Sequence, residues 1–424
     1  MPGTIDSMDR PNETVMNANF RSAFPAADIS QTPHSLRKFA DMTLEGAVRF
    51  WFGVTVVGQL IFAFTIASFY GMAALRGNSA AAWSGHFTHG YVPGDLPGNL
   101  AIATHLVSAV IVILAGVMQL IPHVRERAPS FHRWNGRLYI LTAFAISIAG
   151  LYMVWVRGSV GDLPQHLGSS LMAILIMICA AMALRYALAR NFKAHRRWAL
   201  RLYVVVSASL FIRALLFLSL FLNHGPFGFD PSTFTGPFLT FISFAQYLVP
   251  LAVLEAYLRV QDLGGAAGRL AMGAGLSMLT IALGIGIFVV TAAVWLPSLE
   301  KAYDSRKSIA ETLSVTIASN SVDQAVRQYH DLKVTAPATY NFDEGQLNAL
   351  GYQLIQAKKF HEAVRILQLN VEAYPESSNV YDSLGEAYMD EGDKPPAIAN
   401  YQKSLQLNPR NRGAAKMLEK LNAP

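Results

Sequence analysis

Residues 166–189, His166-Leu-Gly-Ser-Ser-Leu-Met-Ala-Ile-Leu-Ile-Met-Ile-Cys-Ala-Ala-Met-Ala-Leu-Arg-Tyr-Ala-Leu-Ala189, hold no charge between Leu167 and Leu184. A bilayer core of ~30 Å needs about 20 apolar residues in helical form, so this run is long enough to cross it. Further runs pass the same test at about 50–73, 99–122, 136–156, 198–222, 236–258 and 271–297. The chain of 424 residues is 52% hydrophobic and only 15% charged, where soluble domains carry roughly 25% charge. A plain cytosolic enzyme is excluded. The single cysteine, Cys179, excludes a disulfide framework and any cysteine-based zinc or iron–sulfur centre within one chain.

The fold class expected is all-α: a seven-helix membrane bundle over 46–297, followed by a helical solenoid over 300–424. Residues 1–45, polar and unperiodic, read as a disordered tail, and no small-residue cleavage site marks the first span as a signal peptide. Net charge is +6, but the basic residues flank apolar runs, which speaks for membrane topology and against nucleic acid. Arg37, Lys38, Arg49, Arg125, Arg133, Arg137, Arg190, Lys193, Arg196, Arg197, Arg201, Arg259 and Arg269 fall on one side, with little beyond Arg76 and Arg157 on the other. The positive-inside rule makes that side cytoplasmic. An odd span count then puts 300–424 outside the inner membrane, in a periplasm.

In that C-terminal part Leu350-Gly351 recurs as Leu384-Gly385, Ala363 as Ala397, and Pro375 as Pro409, each 34 residues apart. Small residues where helices cross and a proline closing each unit make the tetratricopeptide pattern. An earlier pair near 306–333 reads as a degenerate copy and 410–422 as a capping helix. Such repeats bind a protein or peptide, or pack on a neighbouring domain. The segments Leu347-Asn-Ala-Leu-Gly-Tyr-Gln-Leu354 and Val380-Tyr-Asp-Ser-Leu-Gly-Glu-Ala-Tyr388 resemble the tail behind secreted serine hydrolases of the β-lactamase and esterase type, which implies an extracytoplasmic setting. No Ser-x-x-Lys hydrolase domain precedes them here.

Four histidines open spans two to five. His105-Leu-Val-Ser108 and His166-Leu-Gly-Ser169 stand 61 residues apart; His132-Arg-Trp-Asn-Gly-Arg-Leu-Tyr139 and His195-Arg-Arg-Trp-Ala-Leu-Arg-Leu-Tyr203 stand 63 apart. The phrases read as a tandem two-helix duplication. Spans two and four start outside and three and five inside, so His105 and His166 share an outer level and His132 and His195 an inner one. Each pair could supply two axial ligands to a b-type haem, giving one or two haems and a path for electrons across the bilayer. The bland alternative is interfacial anchoring, and duplication by itself would preserve the residues.

His132 with Gly136-Arg137-Leu138-Tyr139, the phrase His195-Arg196-Arg197-Trp198, and Arg213 deep in the next span resemble a bacterial predicted-membrane-protein family, the domain of unknown function 2306, over roughly spans two to six. That family supplies no activity; its usual Met after the tryptophan is Ala199 here. The architecture is also similar to two-haem transmembrane b-type cytochromes that oxidise ascorbate or quinol; the resemblance does not carry over a donor, and a small redox donor such as quinol is the expectation. Their substrate motifs are absent.

Arg213 lies about 22 Å along span five at ~1.5 Å per residue, where an arginine is costly and calls for a buried anion. A haem propionate or a bound anionic ligand would serve; snorkelling is the alternative. Arg137 and its basic neighbours could hold inner propionates or lipid phosphates. His86 and His89 read as a solvated loop, Glu255 as an i,i+4 partner of Arg259, and Cys179 as small core. Two functions therefore compete: a cytochrome-like membrane oxidoreductase, or a cofactor-free transporter or sensor that binds an anion near Arg213, each with the repeats as an interaction tail. No His-Glu-x-x-His or nucleophile elbow supports an intramembrane hydrolase.

Overall fold

A computed structural model describes residues 34–75, 95–231, 233–304, 306–409 and 411–422. Contacts divide the chain at Tyr303/Asp304 into two compact units. The apolar runs of the first unit are helices: α1 His34–Leu75, α2 Leu96–Leu120, a short α3 Pro122–Arg127, α4 Pro129–Tyr152, α5 Leu163–Leu188, α6 Phe192–Val206, α7 Ala208–Leu222, α8 Pro237–Leu263, α9 Ala266–Val290 and α10 Leu296–Tyr303. A π-helical turn prolongs α4 over Met153–Gly158 and another joins α9 to α10.

Among the described residues six helices are long and apolar enough to cross a bilayer, and a seventh span results if α6 and α7, bent by 44° at Ser207, count as one. Residues 34–45 correct the expected disordered tail. They are the first turns of α1, with Ala40 and Leu44 buried and Asp41 paired to Arg269 of α9. The rest of that tail, Arg76, His86 and His89 lie outside the described residues.

Starts and stops follow local chemistry. Asp95 and Asp162 cap α2 and α5 by accepting from the backbone N–H of Gly98 and Gln165, and proline fills the first turn of both helices. In lipid no hydrophobic force draws helices together, so close approach and internal hydrogen bonds must do so. Gly286 permits the closest approach: a Cβ there would run into the Ala214 carbonyl of α7. Gly116 likewise seats the ring of Tyr139.

The bent pair runs through the middle of the unit. One core joins Leu202, Val205 and Ala208 to Val112, Tyr139, Cys179 and Tyr247, and so gathers α2, α4, α5 and α8. A second core joins Leu210 and Ala214 to Phe62, Ile102 and Ile287, and so gathers α1, α2 and α9. At the joint, the Ser207 hydroxyl donates back to the Tyr203 carbonyl at 2.7 Å, a bond that bends helices. It also accepts from Gln59 Nε2 at 2.6 Å, while the Tyr203 hydroxyl donates to Gln59 Oε1 at 3.0 Å. This closed polar node ties α1 to both halves of the bend.

In the second unit three helical hairpins follow one another: α11 Ile309–Ser319 with α12 Val322–Thr335, α13 Glu344–Gln356 with α14 Phe360–Ala373, and α15 Ser378–Glu391 with α16 Lys394–Leu407, then α17 Arg412–Asn422. A two-residue parallel ladder pairs β1 Lys307–Ser308 with β2 Tyr340–Asn341. Gly351 faces Leu367 and Gly385 faces the ring of Tyr401, so the 34-residue spacing marks equivalent helix crossings.

Candidate functional site

Basic residues gather at one end of the membrane unit, and three ion pairs cross between helices there. Arg201 grips Glu255 with Nε at 2.6 Å and Nη2 at 3.0 Å, Arg197 meets Asp262, and Arg269 meets Asp41. Glu255 therefore pairs with α6 rather than with Arg259 four residues on. Local spacing gave the weaker prediction because a bidentate guanidinium on the adjacent helix offers two aligned donors. The duplicated phrases keep a common geometry: Arg137 lies over Trp134 at 4.7 Å and Arg201 over Trp198 at 4.8 Å. Arg137 is exposed on the surface of α4.

His132 and His195 are close enough for their charges to interact. His195 Nδ1 lies 2.9 Å from the Ala183 carbonyl. A carbonyl only accepts, so Nδ1 is the donor in this contact. That orientation is the one metal-binding histidines commonly adopt. The His132 carbonyl accepts from Gln119 at 2.9 Å, and its Nδ1, sealed from solvent, has no hydrogen-bond partner among the described residues.

His105 and His166 have different surroundings. His166 Nε2 is 3.3 Å from both the hydroxyl and the carbonyl of Ser159, and Trp155 meets its ring edge-on. His166 lines a cavity of about 160 Å³ with Ile212, Ser243 and Gln246. His105 lies elsewhere, against Gly150 of α4, within charge–charge reach of Arg213 and with Nδ1 sealed and unpartnered among the described residues.

Arg213 is the most informative of these side chains. Its Nη1 donates to the Ser209 carbonyl at 2.6 Å, and its guanidinium sits over the Phe62 ring at 4.5 Å, itself stacked on Trp295 at 5.3 Å. Tyr70 and His105 lie within charge–charge reach of it. No carboxylate pairs with it among the described residues, whereas Arg157, Arg197, Arg201 and Arg269 each have one. Five guanidinium N–H donors thus face an aromatic, partly buried corner with one carbonyl acceptor identified.

Sequence reasoning passed over Gln59, Ser207 and Tyr203, and also the Arg157–Asp95 pair, 3.4 Å apart with the arginine side chain 5% exposed. A glutamine amid the apolar residues of span one was the available signal for the first.

Fold and composition together define an integral membrane protein, helical throughout its spans. Residues 102–233, from α2 to the segment before α8, match the model of a family described as predicted membrane protein (DUF2306). No curated protein and no solved structure matches the chain.

Proposed function

We propose that the protein binds an anionic ligand within the bilayer at Arg213, with His105 and Tyr70 as further polar contacts, and presents its C-terminal hairpins to a protein or peptide partner. The observation that carries this reading is an intramembrane guanidinium with no carboxylate partner among the described residues, in a unit whose other buried arginine is paired. Burying a charge without a counter-charge is strongly unfavourable, so the corner is built for an anion. Phe62 and Trp295 would take the apolar part of such a ligand. The ligand's charge would be met by Arg213, and a neutral His105 or the Tyr70 hydroxyl could add hydrogen bonds.

In this reading the 34-residue hairpins act as tetratricopeptide repeats. The bent α6–α7 pair counts as one of seven spans, the basic end faces the cytoplasm, and the repeats stand in the periplasm of an inner membrane. The lopsided arginine distribution and the end-to-end join at Ser207 support that topology.

The test is thermal unfolding of the detergent-purified chain with and without octanoate or octyl phosphate. The wild type gains stability with ligand concentration as mass action requires. Arg213→Gln removes the gain and Arg213→Lys retains part of it. Equal stabilisation of wild type and Arg213→Gln sinks the proposal.

A second reading, transmembrane or local redox chemistry through a b-type haem, is favoured by one observation: His132 and His195 interact electrostatically, and the His195 ring is oriented by its Nδ1 donating to the Ala183 carbonyl. Those two residues would hold the iron, and the group would supply one-electron chemistry, with quinol as a candidate donor.

A further inference from the structure

A cavity of about 760 Å³ is lined by none of the four candidate histidines and not by Arg213. It is a trench walled by α7, α8 and α9 and backed by α1 and α6. Its lining on α8 begins at Phe241 and ends at Asp262, about 30 Å apart at ~1.5 Å per residue, close to the thickness of the hydrocarbon core. Along that length the walls are apolar, with Phe211, Leu218, Val249 and Leu279 among them. Pro250, inside α8, has no N–H to donate to the carbonyl four residues back and sits in the trench wall.

The polar group deeper along α8 is Gln246, whose amide donates to the Ser243 carbonyl, and the charged residues of the trench are all at one end. Lys193, Arg196 and Arg197 line it there, with Tyr257, Gln261 and Asp262 opposite. Arg197 is neutralised by Asp262. Lys193 and Arg196 are exposed and form no ion pair among the described residues, so that mouth carries an excess of two positive charges. An apolar channel of bilayer length with a basic mouth at the arginine-rich end matches a molecule with acyl chains and an anionic head.

We propose that this trench is a binding site for an anionic glycerophospholipid, whose phosphate is held by Lys193 and Arg196 and whose acyl chains lie between α8 and α9. Basic clusters at the end of a helix bundle attract anionic headgroups, and the Tyr257 hydroxyl and Gln261 amide add hydrogen-bond donors at the same mouth. The side chains that select the lipid are outside the cores that hold the bundle together, so they can be changed without unfolding it.

The experiment is native mass spectrometry of the full chain in a neutral detergent, with phosphatidylglycerol or phosphatidylcholine of identical chains added. Phosphatidylglycerol is expected to bind on the order of tenfold more tightly, given two cationic residues near the headgroup. Lys193→Gln/Arg196→Gln abolishes that preference, Val249→Trp weakens both lipids by filling the trench, and Arg137→Gln, an exposed arginine elsewhere at the same end, changes neither. Equal binding of the two lipids by the wild type overturns the proposal. So does a preference that survives the double substitution, and so does lipid binding indifferent to Val249→Trp, which would mean a diffuse annulus.

Discussion

Replacing Gln59 by leucine shortens the side chain by one bond and deletes both interhelical bonds of the node, to Ser207 at 2.6 Å and from Tyr203 at 3.0 Å. Interhelical hydrogen bonds in membrane proteins average ~0.6 kcal/mol and reach about 1.7 kcal/mol. Gln59 and Ser207 are 2% and 1% exposed, so water is not at hand to replace the lost partners. Two such bonds put the cost of Gln59→Leu at about 1–2 kcal/mol. Tyr203→Phe removes one of the two and is expected to cost roughly 0.6 kcal/mol. The pair should not be additive, because once Gln59 is gone the Tyr203 hydroxyl has nothing left to lose; a cycle of the two substitutions should return a coupling of about 0.6 kcal/mol. Ser207 retains its bond to the Tyr203 carbonyl in either variant, so the bend survives and only the tie to α1 is cut. Reversible unfolding in mixed micelles, followed by tryptophan fluorescence, measures all four corners. A Gln59→Leu protein as stable as wild type, or a coupling of zero, would refute the claim that the node holds α1 to the bend.

Three further outcomes are expected. In absorption spectra of protein expressed with ample haem, the redox reading requires one b-type haem per chain, lost on His132→Ala or His195→Ala and kept on His166→Ala; a colourless protein ends it. Gly385→Val presses on the Tyr401 ring, already 3.1 Å from a Cβ placed at that glycine, and should destabilise the second unit by about 1–3 kcal/mol, read as a lowered unfolding midpoint of its helix signal in the full chain. Burial raises the Asp382 carboxyl above its ordinary range, against a smaller opposing pull from Asn411. A raised folded value means the charged form is a liability at neutral pH, one relieved as pH falls through that value towards the unfolded ~3.9. Asp382→Asn should therefore raise the melting temperature at pH 7 and lose its advantage below about pH 4; an advantage that persists there would contradict the sign.

Most of the membrane unit was legible because crossing a bilayer demands length and apolarity, and both are one-dimensional properties. α2, α4, α5, α8 and α9 begin and end within a few residues to about eight of the expected runs. Start points slipped outward where amphipathic turns continue a helix beyond the hydrocarbon, as Ala40 and Leu44 do for α1. Partners across helices were not legible. Glu255 had a basic residue four positions on, and nothing in the linear order indicated that Arg201, 54 residues earlier, would lie closer. The bend was hidden for a similar reason, since a serine in an apolar run bends a helix only when its hydroxyl turns back on the ladder and a neighbour such as Gln59 holds it there. Arg213 was legible as an arginine within an apolar run; that no carboxylate among the described residues pairs with it was not. The two phrases share an arginine stacked on a tryptophan, yet His105 and His166 meet different neighbours, because each helix turns its residues toward a direction that spacing between halves does not fix.

The break at Ser207 gives the α6–α7 pair two facets. Its first half is a member of the cluster around Tyr139 and Tyr247, its second half of the cluster around Phe62 and Ile287. The bundle thus resembles two rooms sharing one beam, and the beam is notched where they meet. Arg213 hangs from the beam one and a half turns past the notch, so anything that straightens or tightens the joint also re-aims that guanidinium.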